Sequence, residues 1–340
     1  MHTDPNKLVL VAAALLIAIL ATILLTPVSM KLAAWAGVLD IPHERRVHTQ
    51  PTPRWGGLAM YASFLIAILV VSLYRHETLV IDGHPNGRTL GILVGGLLIT
   101  TLGALDDKYN IPAKVKLLGQ ILCACVLVLP FFGVRMVVAF DYDLASSKLH
   151  HLPEWMNILS YVLTVVWVVA VTNTINLIDG LDGLAAGIAG LAAITFVSIG
   201  VGMKGAIGEA ILAAALAGAC IGFLRYNFHP AKVFMGDAGS HFLGFTIAAL
   251  SVLQNWKVAT GIVFAVPVLI LAVPIFDTAF AIVRRLRRGQ PIFSPDKGHL
   301  HHRLLRMGLD QRMVVLTIYL LTAAGCLLAL LLAQARLWHD

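Results

Sequence analysis

Residues Leu8 to Leu25 read LVLVAAALLIAILATILL, with no charge anywhere in the run. A helix needs roughly 20 predominantly apolar residues to cross a bilayer, and this run, continued to about residue 30, supplies them. No basic segment precedes it and no small-residue cleavage site follows it. It reads as a retained membrane helix rather than a signal peptide. Working outward, the same pattern returns near 57–74, 89–105, 115–133, 155–173, 183–202, 206–224, 240–254, 259–283 and 313–335. The 240–254 run is short, and Pro267 and Pro274 predict a kink in 259–283. The expected fold is an all-α integral membrane protein with about ten transmembrane helices. One polytopic domain fills residues 1–340, and a small external hairpin is expected in 134–153.

Composition points the same way. Of 340 residues, 59% are hydrophobic and 13% are charged, against about 25% charged in an average soluble domain. Mean hydropathy is +0.85. A soluble globular enzyme, a disordered chain and a disulfide scaffold are all excluded. Cys123, Cys125, Cys220 and Cys326 lie in apolar runs without metal or disulfide spacing, so they read as packing residues. The formal charge of +7 reflects topology and can attract anionic substrates. No basic face interleaved with aromatics is present, which argues against nucleic-acid binding.

Lys and Arg set the orientation. With the N-terminus outside, most of them fall on inside loops, as do five polar clusters. These are His43 to Gly57 (HERRVHTQPTPRWGG), Asp106-Asp107-Lys108, Asn173 to Gly183 (NTINLIDGLDG), Asn227 to Ser240 (NFHPAKVFMGDAGS) and Ser294 to Arg303 (SPDKGHLHHR). Five clusters on five loops facing one way predict one composite site on the cytoplasmic face of the membrane.

Each cluster also has a plain structural reading. Asp106 and Asp107 end an apolar helix and could be solvated helix-end acids. Two carboxylates at a membrane boundary nevertheless repel unless a cation relieves them. Asn176, Asp179 and Asp182 are spaced by three and would share one helix face. A helix cap explains one Asp there, but not the whole group. Asp237 stands between Gly236 and Gly239 at an expected helix start. Carboxylates with Asn favour Mg2+, with Mn2+ as the alternative, over zinc. His299, His301 and His302 lack zinc spacing and stand among Lys297, Arg303 and Arg306, so an anion pocket is the better reading. Mg2+ beside fixed cations is equipment for phosphoryl transfer.

In order and spacing, these clusters resemble the polyprenyl-phosphate N-acetylhexosamine-1-phosphate transferases, from about Asp40 to Arg306. Asp106-Asp107 matches the family's Asp-Asp pair. Asn176 to Gly183 matches its Asn-Leu-x-Asp-Gly-Leu-Asp-Gly motif, and Phe234 to Asp237 its Phe-x-Gly-Asp motif. His299-Leu300-His301-His302 and the early Arg45-Arg46-x-His48 and Pro51-Thr52-Pro53 elements resemble the WecA-type branch. The phospho-MurNAc-pentapeptide transferases of lipid I synthesis instead carry three contiguous His. They also have a Lys before their Thr-Pro, where this chain reads Thr49-Gln50.

The resemblance implies transfer of GlcNAc-1-phosphate from UDP-GlcNAc to undecaprenyl phosphate. The products are undecaprenyl-diphosphate-GlcNAc and UMP, the first membrane step of an envelope glycan such as O antigen or teichoic acid. It implies Asp237 as main Mg2+ ligand with Asn176 as helper, and Asp106 as base with Asp107 supporting it. Asp179 would lie near the diphosphate, with Asp182 and Phe234 on the uridine. Asn227 and Lys232 would face the donor. His299, His301, His302 and Arg303 would bind diphosphate or sugar, and Arg46 and His48 the acceptor phosphate. Lipid is the surrounding partner, and a homodimer is a family expectation.

Rivals from other classes fare worse. A proton-coupled transporter would use Asp277 as relay, but its carboxylates belong at the midplane. A CDP-alcohol phosphotransferase needs an Ala-Arg pair after its first Asp-Gly, which Asp179-Gly180 lacks. A purely structural membrane protein leaves the co-facing clusters unexplained.

Overall fold

The structure, a computed structural model, describes residues 5–41, 51–74, 80–81, 84–134, 154–203, 206–253, 262–290 and 298–337. The helices in chain order are α1 (Pro5–Trp35), α2 (Gly56–Tyr74), α3 (Gly87–Tyr109), α4 (Ala113–Val128), α5 (Glu154–Ile178) and α6 (Leu184–Gly202). They continue as α7 (Ile207–Asn227), α8 (Gly236–Leu253), α9 (Ile262–Ile270), α10 (Ala272–Arg287), α11 (Leu300–Arg306) and α12 (Gln311–Leu337). Two antiparallel strand pairs sit in the loops: β1 (Leu39–Asp40) with β2 (Thr52–Pro53), and β3 (Val80–Ile81) with β4 (His84–Pro85).

Each apolar run of the sequence is helical over most of its described residues, and the protein is a multi-pass all-α membrane protein. Among the described residues seven helices, α1, α2, α3, α5, α6, α7 and α12, are long and apolar enough to cross a bilayer. The run expected as one kinked helix over 259–283 is instead two helices, α9 and α10. The break falls four residues before Pro274, whose ring cannot coexist with the carbonyl of Ile270 in a continuous helix. The 134–153 hairpin lies outside the described residues, save Val134.

α8 is the central pillar. From Ala238 to Leu253 every residue is buried, the mark of a helix enclosed by others on all sides. It packs on α2, α3, α5, α6 and α7. Phe242 meets Tyr61 and Phe64 edge-on, each at 5.5 Å between ring centroids, while the Tyr61 hydroxyl donates to Leu93 O at 2.9 Å. Outer helices show the reverse pattern. Leu16, Leu20 and Leu24, one turn apart on α1, are all exposed and form a stripe suited to lipid.

Close helix approaches rest on glycine. A Cβ at Gly218 would stand 2.3 Å from Leu15 O, and one at Gly222 2.7 Å from Ile19 O. This Gly-xxx-Gly spacing lets the α7 backbone lie directly on α1. Nearer the site, a Cβ at Gly57 would stand 2.0 Å from Gly239 N, so the start of α2 abuts the first turn of α8.

Candidate active site

Asp106 and Asp107 end α3 as expected, but they do different work. Asp106 accepts from the Ile111 amide at 2.7 Å and pairs with Lys116 Nζ at 2.5 Å. Asp107 accepts from the amides of Asp237 (2.9 Å) and Ala238 (3.2 Å), and Arg54 Nη2 stands 3.3 Å away. Asp107 therefore satisfies two of the free donors at the α8 N-terminus, favourably placed against the helix dipole. It ties α3 to α8 and places its neighbour.

That neighbour is Asp237, on the first turn of α8. Its Oδ2 accepts from Lys116 Nζ at 2.7 Å, and its Oδ1 accepts from Asn176 Nδ2 at 2.9 Å. Asn176 Nδ2 also donates to Ser240 Oγ at 2.9 Å. Lys116 thus bridges two carboxylates carried by α3 and α8. The turn into α8 needs Gly236. Its φ is +69, and a Cβ there would strike Arg54 O and the Asp107 carboxylate.

The third cluster departs from the expected single helix face. α5 ends at Ile178, so only Asn176 is helical, and Asp179 and Asp182 lie in the turn that follows. Two Asp-Gly steps account for this, since Asp favours turns and Gly183 has φ +77. Burial, reinforced by the charges of Asp237 and Asp107 and partly offset by Arg54, pushes the Asp179 carboxyl up to about 8. Asp182 Oδ2 lies 2.7 Å from His229 Nδ1 and accepts from the Ala231 amide at 3.1 Å. Asn227 is 3% exposed. Its carbonyl accepts from Gly183 N at 3.0 Å and its amide donates to Val233 O at 2.9 Å. Both ends being engaged with backbone, Asn227 clamps two motif loops together.

The Phe-x-Gly-Asp segment is held by the first loop. Phe234 N donates to Pro53 O (2.8 Å), Gly56 N to Phe234 O (3.0 Å) and Gly57 N to Met235 O (2.9 Å). The Phe234 side chain is half-buried, and Lys232 is exposed at the rim.

The histidines form a row. His299 and His301 stack at 5.8 Å with 9° between planes, and His302 follows at 4.3 Å from His301. His301 closes on the Asp179 turn: a Cβ at Gly180 would meet its Nε2 at 2.7 Å. Burial, with His302 and His299 alongside, lowers the His301 imidazole to about 4. It is neutral at pH 7 and can offer a phosphate or sugar hydrogen bonds, but no charge. Among the described residues, permanent positive charge beside this row comes from Arg303 and Arg306 on α11.

The contacts join all five clusters. Arg54 reaches Asp107, Asp107 holds Asp237, Asn176 meets Asp237, Asp182 meets His229, and His301 meets Gly180. Arg46 and His48 lie outside the described residues. Lys116 and Arg54 entered the sequence reading only as loop charges. No signal in the sequence distinguished Gln120, which accepts from Asn173 Nδ2 at 2.6 Å and lies 3.2 Å from His241 Nε2.

For a metal, the available donors are hard oxygens. Among the described residues no group of three His, Cys, Asp or Glu side chains forms a ready cage. Mg2+, however, commonly takes one or two carboxylates and completes its shell with substrate phosphates and water. Asp237 suits that role, and the Lys116 ammonium between Asp106 and Asp237 shows where positive charge is favoured. The residues fit the ion.

Residues 89–255 match the model of glycosyl transferase family 4. The chain is 40% identical over 338 residues to a probable undecaprenyl-phosphate N-acetylglucosaminyl 1-phosphate transferase of Bacillus subtilis, covering 98% of this chain and 88% of that one. It is 40% identical over 309 residues to a decaprenyl-phosphate N-acetylglucosaminephosphotransferase of Mycobacterium leprae, covering 82% and 73%. It is 31% identical over 321 residues to the Escherichia coli K12 undecaprenyl-phosphate alpha-N-acetylglucosaminyl 1-phosphate transferase, covering 91% and 79%. These are relatives of the branch that the histidine loop resembles, rather than pentapeptide transferases or transporters. A multi-pass helical membrane protein carrying these joined motifs, and this similar over nearly its whole length, belongs to the glycosyl transferase family 4 of polyprenyl-phosphate N-acetylglucosamine-1-phosphate transferases.

Proposed function

We propose that the protein transfers GlcNAc-1-phosphate from UDP-GlcNAc to undecaprenyl phosphate, with Mg2+, at the cytoplasmic face of a bacterial inner membrane. A phosphate oxygen of the lipid attacks the β-phosphorus of the donor. The bond from that phosphorus to the bridging oxygen breaks, and UMP leaves. One phosphoanhydride replaces another, so the exchange is close to thermoneutral and reversible. The observation that carries this reading is the convergence of Asp106, Lys116 and Asn176 on Asp237, with Asp179 near enough to feel its charge.

In this proposal Asp237 would hold the metal, which neutralises the diphosphate. Asn176 would join by turning its carbonyl oxygen toward the ion in place of its amide nitrogen. Lys116 sets the distance between Asp106 and Asp237 and adds fixed positive charge where anionic oxygens gather. Asp106 aligns or deprotonates the acceptor. Asp182 and Phe234 hold the uridine, and the His299 to Arg303 loop meets the diphosphate and sugar. We favour a single displacement. Asp237 is already engaged by Lys116 and Asn176, and a two-step route would make one Asp both ligand and nucleophile.

The test is UMP release from purified protein in undecaprenyl-phosphate vesicles with Mg2+ and a panel of UDP-sugars. Turnover with UDP-GlcNAc is expected. Turnover with UDP-MurNAc-pentapeptide alone would overturn the assignment of branch.

A further inference from the structure

Asp277 lies outside the five clusters, and the proposed reaction gives it no part. It sits on α10 and is 8% exposed. Both its oxygens are committed to the histidine loop. Oδ2 lies 2.8 Å from His299 Nδ1, and Oδ1 accepts from the Leu300 amide at 2.8 Å. An ionised carboxylate only accepts, so His299 Nδ1 carries a proton and donates it. Nε2, on the far side of the ring, is left for another partner. The ring itself is 5% exposed and stacks on His301, which closes on the Gly180 turn beside Asp179. One carboxylate therefore fixes the tautomer of His299, the start of α11 and, through the stack, the seat of His301.

We propose that Asp277 is a positioning residue for the transfer, holding His299 so that Nε2 accepts a hydrogen bond from a hydroxyl of the bound sugar nucleotide. With its proton held on Nδ1 by the carboxylate, the imidazole offers Nε2 as an acceptor, which suits a sugar hydroxyl and not a phosphate oxygen. This orienting partner is what a catalytic or ligand-binding histidine generally requires. The inference rests on the reading of the histidine loop as donor-binding.

Asp277→Asn separates positioning from simple capping. The amide keeps the size of the side chain, and its oxygen can still cap Leu300. Its nitrogen, however, donates to Nδ1 and removes the carboxylate, imposing the opposite tautomer. Kinetics in vesicles with UDP-GlcNAc should show kcat/KM for the donor down by about 10–100-fold. The KM for polyprenyl phosphate and the thermal midpoint should stay near wild type. Asp277→Glu, which keeps the charge, should recover more activity than Asp277→Asn. If Asp277→Asn proves unstable, Asp277→Glu, alone and combined with His299→Ala, carries the test. Asp277→Asn combined with His299→Ala should lose no more than His299→Ala alone. Full donor kcat/KM in Asp277→Asn beside an impaired His299→Ala would overturn the proposal and leave Asp277 a cap. Independent, multiplying losses would overturn it too. Full activity in His299→Ala would instead overturn the donor-binding reading of the loop, and this proposal with it.

Discussion

Asp179 shows most clearly what a residue contributes here. Its half-buried carboxyl is pushed up to about 8 by desolvation and by the charges of neighbouring acids. A raised acid pKa has a definite sign in stability. The folded protein holds a proton that the unfolded chain has released, from the ordinary carboxylate range up to about 8. The stabilisation is complete at low pH and is lost as pH rises through that window. Metal-free Asp179→Asn should therefore melt roughly 2–4 °C above wild type at pH 8, with the gap closing toward pH 4. The same variant should lose most of its transfer activity. A lower midpoint at pH 8 would contradict the electrostatic account. Stability given up at a working site is a common trade.

Residues also mark where reading the sequence stops. Asp106, Asp107, Asp179, Asp182 and Asp237 stand out because charge is rare in this chain, and the motifs around them carry the family. Lys116 does not stand out, being one of several lysines near the start of α4. Its two partners are brought to it by α3 and α8, and Asp237 is 121 positions away. Spacing encodes helix faces and turns but not such long-range meetings. Asp277 illustrates the same limit: from the sequence it looked like a lone membrane acid, whereas the fold gives it a histidine. Asn227 shows it too, since only the fold reveals that its amide bonds backbone at both ends, to Gly183 N and Val233 O.

At the scale of elements, all the apolar runs were legible, because each is long and bounded by polar clusters. The break between α9 and α10 was legible only as a proline kink. The end of α5 was missed because a period of three in Asn176, Asp179 and Asp182 looks helical until the Asp-Gly turns are weighed. Helix contacts on glycine make the account testable here. Gly218→Ala places a Cβ against the α1 backbone, away from the site. It should lower the thermal midpoint, at a cost of about 1–3 kcal/mol, while turnover per folded molecule stays unchanged. Gly57→Ala presses instead on Gly239, in the first turn of α8, and should abolish turnover by displacing Asp237. Equal activity losses in the two variants, measured on folded protein, would show that the α2–α8 approach has no special link to the site.

For the whole molecule, the bundle does two things. Outer helices present leucine to lipid, and the enclosed α8 carries polar residues down one buried axis with Asp237 at its end. The scarcity of charge is thus both a statement about solvent and a map of the site. Loops distant in sequence supply the acids, the bridging Lys116 and the histidine row, and the helices that carry them hold these groups in register. The central claim is that this assembly moves a sugar phosphate onto a lipid phosphate. UDP-GlcNAc labelled in its β-phosphate, incubated with purified protein, undecaprenyl phosphate and Mg2+, tests it directly. The account predicts label in the lipid product and unlabelled UMP in solution, both lost in Asp237→Ala. Label appearing in UMP or as free phosphate, or full lipid labelling by Asp237→Ala, would contradict it.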